Sequence, residues 1–142
     1  MCIDGKNQER THLVMKIVVL AGGTSTEREI SIISGTGVCR ALRQKGHQAV
    51  LVDVFAGMEE VKIEEIFDGE YDVDAAVEYI CSFNDKIPKM QRERREFFGP
   101  NVLELCKAAD VVFLALHGAN GEDGKVQAGL GLNGTKYTGA GD

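Results

Sequence analysis

Two glutamates and an arginine stand together in the stretch GGTSTEREIS, residues 22–31, and are the first candidates for chemistry in this sequence. Thr26 and Glu29 have the spacing of a capping box, so Thr26 is predicted to be the N-cap and Glu27 the first residue of a helix. A carboxylate there faces the positive end of the helix dipole, which stabilises the anion by roughly 0.3–1 kcal/mol. Glu27 is therefore a poor general acid and a suitable partner for an ammonium group. The structural alternative, an acidic first turn that only complements the helix end, is favoured by this stretch taken alone.

A second polar loop, HGANGEDG, occupies residues 117–124 and follows the apolar run DVVFLAL. His117 stands at a strand end, where an imidazole can form hydrogen bonds and change its charge near physiological pH. Gly118 and the other glycines permit a ligand to approach the backbone. The alternative is a glycine-rich turn with an incidental histidine. Glu122 and Asp123 lack further ligands at suitable spacing, so no metal site is predicted.

Neither of two common nucleotide-binding loops is present. A Walker A loop requires a lysine that GGTSTERE lacks, and the same stretch departs from GxGxxG after its first glycine. Asp53 ends a predicted strand where a ribose-binding acid would stand, which is a weak indication without the glycine fingerprint. The net charge is −6 and RERR at 92–95 is the only basic cluster. This argues against a nucleic-acid partner and predicts a solvated helix face for RERR.

The composition is that of an ordinary globular domain. A chain of 142 residues with 44% hydrophobic content suits one domain with its own core. Four cysteines are scattered without CxxC spacing, which predicts reduced thiols in the cytoplasm. No apolar run approaches the roughly 20 residues of a membrane span, so no membrane partner is expected.

The elements that position the two loops follow from hydrophobic periodicity. The apolar run at 16–21 predicts a strand covered on both faces, and a second strand is predicted at 48–54. The helix between them is predicted over 27–45, with Ile30, Ile33, Gly37 and Ala41 on its buried face. Gly35 and Gly37 lower helix propensity, which indicates close packing of this helix on the sheet.

The second half of the chain predicts a helix at 101–109, a strand at 110–116, a short helix at 125–132 and a short strand at 136–138. The stretches 58–67 and 73–83 have partial helical patterning, and 84–98 is charged helix or loop. The alternation of strands and helices predicts an α/β fold, with an open, mostly parallel sheet and helices on both faces. Both polar loops then lie at the carboxyl edge of the sheet, where such folds bind ligands.

Three motifs resemble those of one enzyme family. KIVVLAGGTSTEREISIISG at 16–35 resembles GGxSxEREVSxxSG, the amino-terminal signature of D-alanine–D-alanine ligases. LALHGANGEDGKVQAGL at 114–130 resembles their second signature, ALHGxxGEDGxxQGxL, and KYTGAG at 136–141 resembles the segment after it. The resemblance implies a Rossmann-like, three-layer α/β/α domain, the pre-ATP-grasp domain of the ATP-grasp superfamily.

The resemblance also implies roles for single residues. Glu27 matches the glutamate that binds the ammonium group of the first D-alanine, and it is the expected catalytic residue. His117 matches a histidine that places the same substrate, so the two side chains are expected to converge across one cleft. Ser31 is expected to support the loop, while Gly22 and Gly23, with Gly118 in the second loop, give access to the backbone.

The family joins two D-alanines in the cytoplasm for peptidoglycan synthesis, using ATP and magnesium. Its phosphate-gripping lysines and magnesium ligands match no position within these 142 residues, so neither cofactor is expected to bind this chain alone. Residues 1–15 are predicted to be a disordered leader, with Met15 a candidate translation start, and 16–142 the ligase amino-terminal domain without the ATP-grasp domains. The chain is expected to bind D-alanine, to form a homodimer or otherwise self-associate, and to be inactive alone. The alternative is a non-catalytic small-molecule-binding or oligomerisation module.

Overall fold

Four parallel strands form the sheet. The structure, a computed structural model, describes residues 14–68, 70–116 and 137–139, the last three by their backbone alone. The strands are β1 (Lys16–Ala21), β2 (Gln48–Asp53), β3 (Val111–Leu114) and β4 (Tyr137–Gly139). Their order across the sheet is β2-β1-β3-β4, and all three neighbouring pairs are parallel. β1 is central, with Ile17 opposite Ala49 on one side and Val111 on the other.

The described residues form four α-helices, three of which pack against the two faces of the sheet. The four helices are α1 (Arg28–Gln44), α2 (Val73–Cys81), α3 (Ile87–Glu93) and α4 (Val102–Ala108), and a 3₁₀ turn at Asn84–Lys86 joins α2 to α3. Because side chains alternate along a strand, Val18 and Leu20 pack with α4 and Phe67 on one face. Val19 and Ala21 pack with α1 and α2 on the other. The predicted three-layer α/β/α fold with a parallel sheet is confirmed.

The buried face of α1 differs from the predicted one. Ile30 is 52% exposed and Ile33 is 72% exposed, so the predicted stripe is wrong. The residues that α1 buries are Arg28, Ser31, Ile32, Gly35 and Cys39. Gly35 determines which face of α1 is buried, because a Cβ at this position would lie 2.8 Å from the Cβ of Ala21. Close packing on the sheet is thus confirmed at Gly35 and wrong at Gly37, which has open space around it.

The start of α1 also differs from the prediction. The helix begins at Arg28, and Glu27 rather than Thr26 occupies the N-cap position without a side-chain capping bond. The amide N–H of Glu27 donates to Ser25 Oγ at 3.1 Å, and the N–H of Arg28 donates to the Ser25 carbonyl at 3.1 Å. A local turn built on Ser25 therefore replaces the predicted capping box.

The middle of the chain is partly helical. The patterning at 73–83 is confirmed by α2, whereas 58–67 forms turns rather than a helix. The predicted solvated helix face of RERR is wrong for Arg94, because α3 ends at Glu93 and Arg94 folds back over the ring of Phe55, 4.1 Å from its centroid. Burial of Arg94 lowers the pKa of its guanidinium.

The later elements agree with the sequence where the structure describes them. The helix predicted at 101–109 is α4, the strand predicted at 110–116 contains β3, and the strand predicted at 136–138 is β4, shifted by one residue. Residues 1–13 of the predicted leader (1–15), the loop at 117–124 and the helix at 125–132 lie outside the described residues.

Candidate functional site

The carboxyl ends of β1, β2 and β3 meet beneath the loop that joins β1 to α1. The chain passes from β1 to β2 on one side and later returns to β3 on the other, so strand order reverses beside β1. Open α/β sheets bind ligands at this crevice. Gly22 and Gly23 leave β1 with φ angles of 77° and 89°, a region that favours glycine.

Ser31 ties this loop to the end of β3. Its hydroxyl accepts a hydrogen bond from the N–H of Gly22 at 2.9 Å and donates one to the carbonyl of Ala115 at 2.7 Å. The side chain is fully buried. Ser31 therefore uses its hydroxyl within the protein, and the role that this geometry favours is support of the loop.

Asp53, at the end of β2, lies beneath the same loop. It is fully buried, and its Oδ1 accepts hydrogen bonds from Gly23 N–H at 3.3 Å and Phe55 N–H at 3.0 Å. A Cβ on Gly22 would lie 2.6 Å from that oxygen, so only glycine fits there. Because Asp53 is enclosed and engaged, it cannot serve as the ribose-binding acid that its strand-end position weakly indicated.

Arg28 completes a buried cluster with Asp53, and sequence reasoning missed it. The guanidinium is almost enclosed, and its Nη2 lies 2.6 Å from Asp53 Oδ2. Nη1 donates to the carbonyl of Gly23 at 2.9 Å and Nη2 to the carbonyl of Ile80 at 3.0 Å. Nε donates to Asn84 Oδ1 at 2.8 Å. The planar guanidinium group of Arg28 thus joins the loop to β2 and to the end of α2.

Glu27 lies on the outside of this cluster. Its residue is exposed at the N-terminal end of α1, and its carbonyl accepts the N–H of Ser31 at 3.0 Å. The neighbouring side chain of Arg28 points inward, so Arg28 lies in the core while Glu27 lies in solvent. An exposed carboxylate at a helix N-terminus, on a loop fixed from below, is suited to holding a ligand cation.

The second predicted half of the site follows Leu116. The N–H of Ala115 donates to the carbonyl of Leu20 at 2.9 Å, and Ala115 and Leu116 are both buried. The chain therefore leaves the described region beside the end of β1. His117 and Gly118 come next and lie outside the described residues, so their convergence with Glu27 stays a prediction.

Gly22 and Gly23 lie in the loop after β1, and their N–H groups already form hydrogen bonds within the protein. The N–H groups of Gly22 and Gly23 donate to Ser31 and Asp53. Ligand access to their backbone stays a prediction. The loop also borders a cavity of about 160 Å³, lined by Thr24, Arg94 and Arg95 among others.

Two further features, a cluster of metal ligands and a membrane-spanning helix, are absent from the described residues. These residues contain no group of three or more His, Cys, Asp or Glu side chains that could hold a metal ion. In the same part of the chain, no helix combines the length and the apolar character that crossing a bilayer requires.

Comparison with known proteins finds D-alanine–D-alanine ligases among the relatives of this chain. The family described as "D-ala D-ala ligase N-terminus" matches residues 16–140. A D-alanine–D-alanine ligase of Lacticaseibacillus casei is 50% identical over 131 residues, which are 89% of this chain and 37% of that protein. The ligase of Pediococcus pentosaceus is 45% identical over 136 residues, 89% of this chain and 38% of the relative.

More distant relatives carry the same name. A D-alanine–D-alanine ligase of Leptospira interrogans is 34% identical over 128 residues, covering 89% of this chain and 34% of its own length. The chain therefore spans somewhat more than a third of the length of each of these three curated relatives.

Proposed function

The chain belongs to the D-alanine–D-alanine ligase family, as its amino-terminal domain, and we propose that it forms the binding site for the first D-alanine. The relatives carry the name of an enzyme that acts on D-alanine, and the family match covers both polar loops. Peptidoglycan synthesis is the process to which such a site contributes. The free thiols Cys39, Cys81 and Cys106 agree with a cytoplasmic location.

One observation carries the proposal: the arrangement of Glu27 and Arg28 at the carboxyl edge of the sheet. Arg28 is buried with Asp53, and this pair anchors the loop from below. Glu27 is left exposed at the start of α1, where its carboxylate is available to the ammonium group of D-alanine. His117 is proposed as a second contact from the loop after β3.

The cofactors of the complete reaction do not fit the described residues. Phosphoryl transfer needs clustered positive charge and metal ligands around the phosphates. The β1–α1 loop contains no lysine, and the described residues hold no cluster of metal ligands. We therefore propose that the described residues serve D-alanine binding, and that ATP and magnesium bind elsewhere in a complete ligase.

The proposal is tested by calorimetric titration of the purified chain with D-alanine. Glu27→Gln should weaken binding roughly 10- to 100-fold, because a hydrogen bond to a charged group contributes about 1.5–3 kcal/mol. Glu29→Gln is the matched control, since Glu29 is also exposed in the first turn of α1. D-lactate, which lacks the ammonium group, should not compete. Equal effects of the two substitutions, or competition by D-lactate, would contradict the proposal.

A second function, self-association, is favoured by the outer face of α1. Ile30 and Ile33 are exposed there, and beside them a cavity of about 380 Å³ lies between α1 and α2, lined by Ile32, Val77 and Cys81 among others. Contiguous exposed apolar surface is typical of protein interfaces. We propose that a second copy of the chain covers it. Sedimentation at micromolar concentration should show a dimer that Ile33→Glu converts to monomer, and a monomeric wild-type chain would refute this function.

A further inference from the structure

Asn84 lies far from Glu27 in the sequence, yet it contacts the residue that fixes the Glu27 loop. Its Oδ1 accepts the Nε–H of Arg28 at 2.8 Å across 56 positions of the chain. Asn84 begins the short 3₁₀ turn after α2, and its residue is half-buried. From this contact we infer that Asn84 is a positioning residue for the D-alanine site, an inference that rests on the proposed function.

The first step of the argument is the geometry of Arg28. Its guanidinium contacts four groups: the carbonyl of Gly23, the carboxylate of Asp53, the carbonyl of Ile80 and the amide of Asn84. A guanidinium is planar and its N–H groups have fixed directions, so acceptors on several sides determine both its position and its plane. Asn84 accepts the hydrogen bond from Nε of Arg28. It thereby sets the rotation of the guanidinium plane relative to the other three contacts.

The second step connects Arg28 to Glu27. The two residues are adjacent in the chain, and α1 begins between them. The backbone at Arg28 is held through its side chain and through its N–H, which donates to Ser25. A change in the plane of the guanidinium therefore shifts the turn 25–28, and the direction of the Glu27 side chain moves with it. A displacement of about 1 Å is enough to weaken a positioned contact severely.

The third step is that the contacts of Arg28 can be weakened without unfolding the chain. Removing Asp53 would leave a buried charge without its counterion, which threatens folding. Asn84 is neutral and half-buried, and the carbonyls of Gly23 and Ile80 remain as partners when it is removed. Its loss should therefore loosen the loop while the fold persists.

The consequence is that α2 and the turn after it contribute to ligand affinity without touching the ligand. The carbonyl of Ile80 lies in the last turn of α2, and Asn84 follows three positions after that helix ends. Because coupling between two sites is reciprocal, D-alanine binding should in turn strengthen the contact between Arg28 and Asn84.

The experiment compares three variants of the chain. Asn84→Ala removes the acceptor, and Asn84→Asp retains an acceptor oxygen. Asp85→Ala alters the exposed neighbour in the same turn. We expect Asn84→Ala to weaken D-alanine binding about threefold to tenfold, the range for loss of one hydrogen bond. Asn84→Asp should restore affinity, and Asp85→Ala should leave it unchanged.

Two NMR readouts separate positioning from general destabilisation. The Nε–H signal of Arg28 should exchange with solvent faster in Asn84→Ala, and so should the amide of Gly23, while core amides of β1 keep their protection. Unchanged affinity in Asn84→Ala would overturn the inference, and so would failure of Asn84→Asp to rescue it. If the wild-type chain binds no D-alanine, the proposed function fails. Unchanged exchange at Arg28 and Gly23 would then overturn the positioning inference separately.

Discussion

At the scale of single residues, the two ion pairs of the described chain differ sharply in environment. Arg28 and Asp53 are almost wholly enclosed, whereas the side chains of Arg40 and Asp74 are 47% and 73% exposed. Taking two charges out of water is unfavourable, and the penalty is recovered only if each stays paired. The buried pair is thus a point where removal of either partner has a large effect.

Asp53→Asn should therefore destabilise the chain by about 3 kcal/mol, since it leaves the guanidinium of Arg28 buried without its counterion. Asp74→Asn, at the exposed pair, should change the free energy of unfolding by less than about 1 kcal/mol. Urea denaturation of both variants measures the difference. Equal losses would show that the Arg28–Asp53 pair has no special role in holding the fold.

The buried thiols provide a second residue-scale prediction. Burial raises the pKa of Cys106 from its ordinary value of 9.0 to about 12. Below pH 9 the thiol is neutral in both the folded and the unfolded chain, so it contributes no pH dependence. As the pH rises from 9 towards 12, the unfolded chain loses the proton first, and stability falls.

Wild-type chain should accordingly lose about 1.4 kcal/mol more than Cys106→Ala between pH 8 and pH 10, because pH 10 lies one unit above the pKa of the unfolded thiol and each unit corresponds to about 1.4 kcal/mol. Comparing the two pH values within each variant cancels the cavity that the substitution leaves. Urea unfolding at both pH values gives the numbers.

The role of Glu27 could be proposed from the sequence, because a helix start and a family motif both involve its carboxylate. The role of Arg28 could not. The sequence ERE at 27–29 does not show which of its three charged side chains is buried. The partners that decide this, Ile80 and Asn84, lie 52 and 56 positions further along the chain. A buried arginine is recognisable only when its acceptors are known.

At the scale of secondary-structure elements, α1 shows that the spacing of apolar residues predicts a helix without predicting which of its faces is buried. The sequence correctly predicts a helix, and its apolar residues recur at helical spacing. Ile30, Ile32 and Ile33 nevertheless permit more than one buried stripe. Close approach to the sheet at Gly35 decides among them, and that distance is a property of the packed protein. The same packing leaves Ile30 and Ile33 exposed.

Gly35→Ala should destabilise the chain even though alanine is the better helix former. The added Cβ would lie 2.8 Å from Ala21 Cβ and 3.1 Å from Leu51 Cδ1, so the helix must move away from the sheet. Overpacking of this kind typically costs about 1–3 kcal/mol. Gly37→Ala is the matched control. With open space around Gly37, it should stabilise the chain by up to about 1 kcal/mol. Thermal unfolding that shifts in the same direction for both variants would contradict this assignment of the buried face.

At the scale of the whole molecule, strand order places the candidate site. β1 is central because β2 and β3 pair with it on opposite sides, and the loops after these strands therefore meet at one edge. This arrangement was predictable, since short βαβ connections and near-continuous apolar strands leave few alternatives. The 55–98 segment was less predictable, because 58–67 has helical spacing but forms turns that place Phe67 against the sheet.

If the assembled edge binds D-alanine, the ligand must stabilise the folded chain as a whole. A ligand that binds only the native state adds RT ln(1 + [L]/Kd) to the free energy of unfolding, so each tenfold rise in concentration well above Kd adds about 1.4 kcal/mol. Small zwitterions also stabilise proteins non-specifically by exclusion from the surface. L-alanine reproduces that bulk effect with the same composition, so the difference between the two enantiomers reports the site. We expect D-alanine to raise the melting temperature more than L-alanine does in the wild-type chain, and Glu27→Gln to abolish the difference. Identical curves for the two enantiomers in the wild-type chain would show that the edge, although correctly assembled, does not recognise D-alanine.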